Sequence, residues 1–200
     1  MDNEKRMAGE YEILQAVSVG DREVVLGENP RAKPGERYLC ATCKRDDLFE
    51  QYSEAMVSDE YVELLQLFGE RVRDRAESLL EDLRIPGELG IDDRPVSSEG
   101  FDPVSWEESI LGEVVLIKPE VLKPEYRRAT VQYQLVTGGF GASAGGRGSA
   151  CYCKNLYSGE ESRFERQDIL GIVRPEQMPE WVQNSLNRAE RNHNHDKGAR

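Results

Sequence analysis

Residues 59–84 carry one continuous apolar stripe, and it constrains the fold more than any other feature. Tyr61, Leu65, Phe68, Val72, Ala76, Leu79 and Leu83 step by four and three. That spacing puts side chains on one face of an α-helix. Glu63, Glu70, Glu77 and Glu81 fall outside the stripe and turn toward water. An amphipathic helix of this kind is held by what its stripe lies on, so the rest of the chain must supply an apolar surface. Ser58-Asp59 offers the N-cap, and Pro86-Gly87 predicts the end.

The residues before the stripe supply strands. Tyr11-Glu-Ile-Leu-Gln-Ala-Val-Ser-Val19 and Arg22-Glu-Val-Val-Leu26 flank Gly20-Asp21. Glycine accepts the positive φ of a primed turn, so this reads as a β-hairpin. Residues 27–35, with Pro30 and Pro34, read as a loop, and residues 37–40 as a short third strand. Asp46-Asp47 stands ahead of Leu48, Phe49, Tyr52 and Met56, whose spacing predicts a first helix before the long one.

Residues 85–104 are rich in Gly, Pro, Asp and Ser and read as a linker or long surface loop. Beyond them the pattern is mostly sheet. Residues 113–118, 129–137, 149–156, 162–166 and 169–173 are strand candidates, and residues 177–191 form a closing helix with Trp181 and Leu186 as core contacts. The expected class is α+β. An N-terminal hairpin and two helices occupy residues 1–84, an antiparallel β-rich region with its helix occupies 105–191, and a disordered polar tail follows at 192–200.

The formal charge is −12, from 38 acidic and 26 basic side chains. This argues against direct nucleic-acid binding, which needs basic surface to displace counterions from phosphate. It suits solubility or docking onto a basic groove. Residues 1–6 are charged and no apolar run follows, so no secretory signal is expected, and no stretch approaches membrane-spanning length. The expected location is cytoplasmic, where cysteines serve as thiols or metal ligands rather than disulfides.

Three features invite a chemical reading. The first is Thr137-Gly-Gly-Phe-Gly-Ala-Ser-Ala-Gly-Gly-Arg-Gly-Ser149. A phosphate cradle needs a following helix and, for a P-loop, a Gly-Lys-Ser/Thr ending, and neither is present. That excludes a P-loop and leaves three readings: a phosphate cradle of another kind, a flexible hairpin loop, or a protein-binding tip carried by Phe140 and Arg147, since aromatic and arginine side chains anchor interfaces. The second is the cysteine set. Cys40-Ala-Thr-Cys43 has the spacing of a zinc knuckle, and Cys151 and Cys153 project from one strand face. Together they are the candidate ligands of a structural zinc, which would suit a zinc-stabilised nucleic-acid-binding accessory module. Small buried hydrophobes are the other reading. The third is the histidines. His193 and His195 both lie in the tail, which argues against His-dependent catalysis and HExxH-type metal sites. No carboxylate pair is marked out by an apolar setting, and no catalytic residue is assigned.

Two stretches carry a family resemblance. One runs from Glu23-Val-Val-Leu-Gly-Glu-Asn-Pro30 through Tyr38 to Phe49-Glu-Gln-Tyr-Ser-Glu-Ala-Met-Val-Ser-Asp59. The other comprises Lys118-Pro-Glu-Val-Leu-Lys-Pro-Glu-Tyr-Arg127, Tyr133-Gln-Leu-Val-Thr-Gly-Gly-Phe-Gly141 and Arg163-Phe-Glu-Arg-Gln-Asp-Ile-Leu-Gly171. Together they resemble small accessory proteins of conjugative and phage-like elements in gut Firmicutes, a setting that includes anti-CRISPR and anti-restriction factors. The resemblance implies a non-enzymatic inhibitor that binds a CRISPR-associated or restriction nuclease by protein contact. Phe140, Arg147 and the acidic face with Glu63, Glu70 and Glu77 are then the expected contact residues.

Overall fold

The computed structural model describes residues 5–45, 49–97, 101 and 103–197, with side chains through Arg188. The protein is α+β, with two antiparallel five-stranded sheets, and divides into two compact units, Met1–Ile85 and Pro86–Arg200.

The first unit is a meander of β1 (Met7–Ala8), β2 (Tyr11–Val19), β3 (Arg22–Glu28), β4 (Tyr38–Arg45) and β5 (Glu50–Ser58), in that spatial order. The expected hairpin is present: Val19 pairs with Arg22 around Gly20-Asp21. Gly20 alone has a positive φ there, 64°, which is the first loop position of a type II′ turn.

Helix α1 (Tyr61–Glu88) lies on one face of this sheet. Leu64 and Phe68 pack on Val24, Leu26 and Cys40. Each large apolar side chain so buried contributes about 1.5–3 kcal/mol. The other face, carrying Val25, Leu39, Ala41 and Cys43, is covered by Ala8, Tyr11, Ile13 and Tyr52 from the outer strands. The sheet therefore curls over itself. Bulges accentuate the curl, because an extra residue bends its strand and raises the local twist. One lies in β2 between Ile13 and Gln15. The other lies in β5 opposite Ala41, where Glu54 takes φ 54° and its carboxylate accepts a 2.9 Å hydrogen bond from the Thr42 hydroxyl.

Three details of the first unit differ from the sequence expectation. The helix expected over Phe49, Tyr52 and Met56 is strand β5, which pairs with β4 from Tyr38↔Ser58 to Arg45↔Glu50. Strand β4 is buried on both faces, so its outer N–H and C=O groups need a ladder partner, and that need overrides the helical spacing. Phe49 and Met56 are consequently exposed rather than buried. Asp46, Asp47 and Leu48 lie outside the described residues.

The expected stripe of α1 is buried or half-buried at Tyr61, Phe68, Val72, Ala76, Leu79 and Leu83 and departs at one position. Leu64 is buried and Leu65 is exposed, because the inner face extends to Arg71 and Arg75. Arg71 donates to the Cys40 carbonyl at 3.2 Å, and Arg75 pairs with Asp21 at 3.1 Å. Nor does Asp59 serve as the expected cap. Its carboxylate accepts from the N–H groups of Gly35 and Arg37, which hold it below its ordinary pKa, while the Ser58 hydroxyl accepts from Glu60 N–H at 3.0 Å.

Helix α1 runs past Pro86 to Glu88. Its true stop is Gly90, with φ 75°. Gly90 N–H donates to the Gly87 carbonyl at 3.0 Å and Ile91 N–H to the Pro86 carbonyl at 2.9 Å. Those two bonds make a Schellman terminus.

The second unit contains β6 (Val114–Ile117), α2 (Ala129–Gln132), β7 (Tyr133–Gly138), β8 (Ala150–Asn155), β9 (Glu161–Glu165), β10 (Ile169–Ile172) and α3 (Glu180–Lys197). The strand order is β10-β6-β7-β8-β9. Consecutive strands β9 and β10 thus occupy opposite edges. A flat five-stranded sheet spans about 19 Å between its outer strands. The step from Glu165 to Ile169 reaches at most about 14 Å when fully extended, and here it is a 3₁₀ turn. The sheet must therefore roll into a small, incompletely closed barrel. Ile110, Val115, Ile117, Val136, Cys151, Cys153 and Ile169 form its interior. Val114, Leu116, Tyr133 and Val173 point outward and are covered by Val182, Trp181 and Val96.

The segment expected as a linker is partly docked on this barrel. The amide of Gln132, fully buried, exchanges hydrogen bonds with the backbone of Val96 and donates a third to the Ile117 carbonyl. The Asp93 carboxylate accepts from Thr130 N–H at 2.7 Å and pairs with Arg128 at 2.6 Å, which caps α2. The strand expected over 129–137 begins only at Tyr133 for this reason. The closing helix runs to Lys197, beyond the expected end at 191 and into the expected tail, of which residues 198–200 lie outside the described residues.

Candidate functional site

The glycine-rich segment joins β7 to β8 as a closed, folded loop. Gly139 has φ 101°, and a Cβ on it would sit 2.2 Å from the Ala150 carbonyl oxygen. A Cβ on Gly141 would sit 2.2 Å from the Ser149 oxygen, and one on Gly146 would sit 2.0 Å from the Phe140 oxygen. These glycines are there because backbone lies directly on backbone. Gly141 and Ala142 are buried, in a short 3₁₀ turn with Phe140.

Arg166 holds the loop from beneath. It follows β9 and is only 2% exposed. Its guanidinium donates to the carbonyls of Gly141, Ser105 and Glu108, the last at 2.7 Å, and lies 5.4 Å from the centre of the Trp106 ring. Among the described residues it forms no ion pair. Carbonyl dipoles and the aromatic face take the place of a counter-ion. Backbone bonds complete the clamp: Ile110 N–H to the Ala142 carbonyl, Gly145 N–H to the Trp106 carbonyl, and Arg166 N–H to the Ser149 carbonyl, at 2.9, 2.9 and 2.7 Å. The Ser149 hydroxyl donates to the Glu165 carboxylate.

The consequence is an aromatic projection on a fixed base. Phe140 is 76% exposed although Gly141 and Ala142 after it are buried, Trp106 is 49% exposed, and Arg147 is exposed on the same loop. Sequence reasoning singled out Phe140 and Arg147 but missed Arg166 and Trp106. The available signal was a lone tryptophan in the polar stretch 102–109; nothing marked Arg166 apart from other arginines.

The acidic candidates belong to the first unit. Glu63, Glu70 and Glu77 are exposed along α1 at one side of the helix. Glu63 accepts from the Ser58 hydroxyl at 3.4 Å, Glu70 from the Gln66 amide at 3.0 Å, and Glu77 lies 3.8 Å from Arg73.

The zinc-knuckle geometry expected of Cys40 and Cys43 is not formed. Three residues apart on β4, they project to opposite faces, Cys40 toward α1 and Cys43 toward Tyr52 and Ala8. Cys151 and Cys153 do share a face, inside the barrel. All four are buried as free thiols, and among the described residues no three Cys, His, Asp or Glu side chains gather into a metal site. Burial pushes every one of these thiols up, Cys153 to about 12. They act as small apolar fillers. The backbone of His193 and His195 is in α3, and their side chains lie outside the described residues.

Among the described residues the second unit carries these concavities. One, of about 790 Å³, lies between residues 89–96 and the start of α3, with Tyr133 and Trp181 in its wall. Their rings meet edge to face at 5.4 Å. Another, of about 220 Å³, lies by the β8–β9 turn.

Among the described residues no helix is long and apolar enough to cross a membrane. Comparison with known proteins identifies no matching family model, no matching curated protein and no matching solved structure.

Proposed function

We propose that the chain is a non-enzymatic binding protein of the anti-defence type, which inhibits a CRISPR-associated or restriction nuclease by occupying its surface. The observation that carries this reading is Phe140, a large aromatic held out on a loop that Arg166 fixes from below. A preformed projection loses little conformational freedom on docking, so its burial translates into affinity. Arg147 on the same loop and Trp106 against Arg166 are exposed side chains of the kind that anchor interfaces. The net charge of −12 supports the nuclease as target, since an acidic protein is steered toward a groove built to hold nucleic acid. The resemblance to accessory proteins of mobile elements points the same way.

The test is capture of purified CRISPR-associated and restriction nucleases on the immobilised chain, followed by cleavage assays. Submicromolar capture of one nuclease class and loss of its cleavage support the proposal. Capture that survives Phe140→Ala combined with Arg147→Ala refutes the assigned surface. No capture and no inhibition across the panel refutes the function.

A further inference from the structure

The 220 Å³ pocket of the second unit has a chemistry that the reading above does not use. Lys154 at the end of β8 and Arg188 on α3 both line it, together with Ser158 and Ser185. The chain has twelve more acids than bases, and Arg6, Arg37, Arg45, Arg75, Arg128 and Arg163 all pair with carboxylates. Among the described residues Lys154 and Arg188 do not. Glu161 stands opposite Lys154 in the β8–β9 register but makes no ion pair with it. Two cations that form no ion pair thus line one concavity.

The pocket wall is also fixed in advance. Asn155 accepts from Tyr157 N–H and Ser158 N–H at 2.9 and 2.7 Å and donates to the Thr130 carbonyl at 2.9 Å. Gly159, with φ 78°, completes the turn, and a Cβ there would meet the Lys154 Cε at 3.9 Å. The lysine stem therefore runs along the turn. The Ser158 hydroxyl accepts from Glu160 N–H at 3.2 Å, which leaves its own proton free to donate. Leu135 and Leu156 provide an apolar floor.

An ammonium, a guanidinium fork and two serines around an apolar floor match a dianion with several acceptor oxygens and a short carbon body. We propose that this pocket binds a phosphate monoester of a small molecule. The site is separate from the glycine loop and stands or falls independently of the nuclease reading.

The experiment is amide NMR titration of the full chain with inorganic phosphate, O-phosphoserine and glycerol 3-phosphate at constant ionic strength, with chloride as the control salt. The expected result is saturable shifts centred on residues 154–159 and 185–188 with at least one of the three. A monoester that binds more tightly than inorganic phosphate shows that the body is recognised. The variant combining Lys154→Met with Arg188→Met keeps both apolar stems, and affinity should fall at least tenfold. Arg188→Gln alone should give a partial loss, which guards against a folding effect of the double change. Shifts that do not saturate, that chloride reproduces, or that persist unchanged in the double variant overturn the proposal.

Discussion

Replacing Arg166 with methionine keeps the stem and removes the guanidinium. Three carbonyl acceptors then lose a donor, that of Gly141 buried and those of Ser105 and Glu108 part-buried. An unpaired acceptor costs about 1–3 kcal/mol where it is buried, as at Gly141, and less where water reaches it, as at Ser105 and Glu108. The sum is offset in part, because the variant no longer has to desolvate a charge that lacks a carboxylate partner. A net loss of about 3 kcal/mol follows. Both tryptophans of the chain, Trp106 and Trp181, lie in the second unit, so their fluorescence in a urea titration reports that unit alone. With a denaturant slope of about 2 kcal/mol per molar, the midpoint should fall by about 1.5 M. Arg166→Lys should recover little of this, since one ammonium cannot span three divergent carbonyls. A shift below about 0.5 M for Arg166→Met would show that water replaces the guanidinium at no penalty, and the clamp argument would be wrong.

Gly141→Ala puts a methyl 2.2 Å from the Ser149 carbonyl oxygen and 2.9 Å from the Cys151 sulfur, where backbone cannot yield, so the same assay should show a loss of at least about 2 kcal/mol. The Cys153 thiol titrates at about 12 in the folded chain against an ordinary value near 9. A raised thiol pKa means that the unfolded state releases its proton first, so stability is full below pH 9 and falls as pH rises from 9 toward 12. Thermal melts across that range should show the fall, and Cys153→Ala should reduce it, the three other raised thiols carrying the remainder. A thiol reagent at pH 8 should modify the four cysteines at the rate of unfolding, because all are buried. Phe140→Ala should change the urea midpoint by less than about 0.3 M, as expected for an exposed side chain, yet weaken capture of the partner at least tenfold.

The α+β class, the first hairpin and the amphipathic helix were legible because their signals are local: alternation, a glycine at a two-residue turn, a run of apolar steps. What failed depended on distant residues. The spacing of Phe49, Tyr52 and Met56 is helical, but strand β4 left an edge to be paired, and the edge decided the matter. The choice between Leu64 and Leu65 was settled by where Arg71 and Arg75 reach across to the sheet, which no helical wheel contains. The Cys40–Cys43 spacing suits a knuckle only on a turn. On a strand the same interval sends the two sulfurs apart.

Glycine enrichment at 138–148 has two physical causes that composition cannot separate. One is freedom of the backbone, and the other is lack of room for any side chain. Four of these glycines resolve the choice in different ways. Gly139, Gly141 and Gly146 would drive a Cβ into a carbonyl oxygen, whereas Gly145 has open space and needs only its φ of 60°. The close approach that excludes side chains is set by Arg166, twenty-five positions beyond Gly141, and by the Ser105 and Glu108 carbonyls that share its guanidinium. The difference bears on function. A flexible tip would have to be ordered on binding, at about 1–2 kcal/mol for each residue fixed. A loop already closed over a buried arginine avoids that cost. Loosening the base while leaving Phe140 in place should therefore weaken partner binding as well as stability, and Arg166→Met assayed for capture at a temperature where it remains folded separates the two effects.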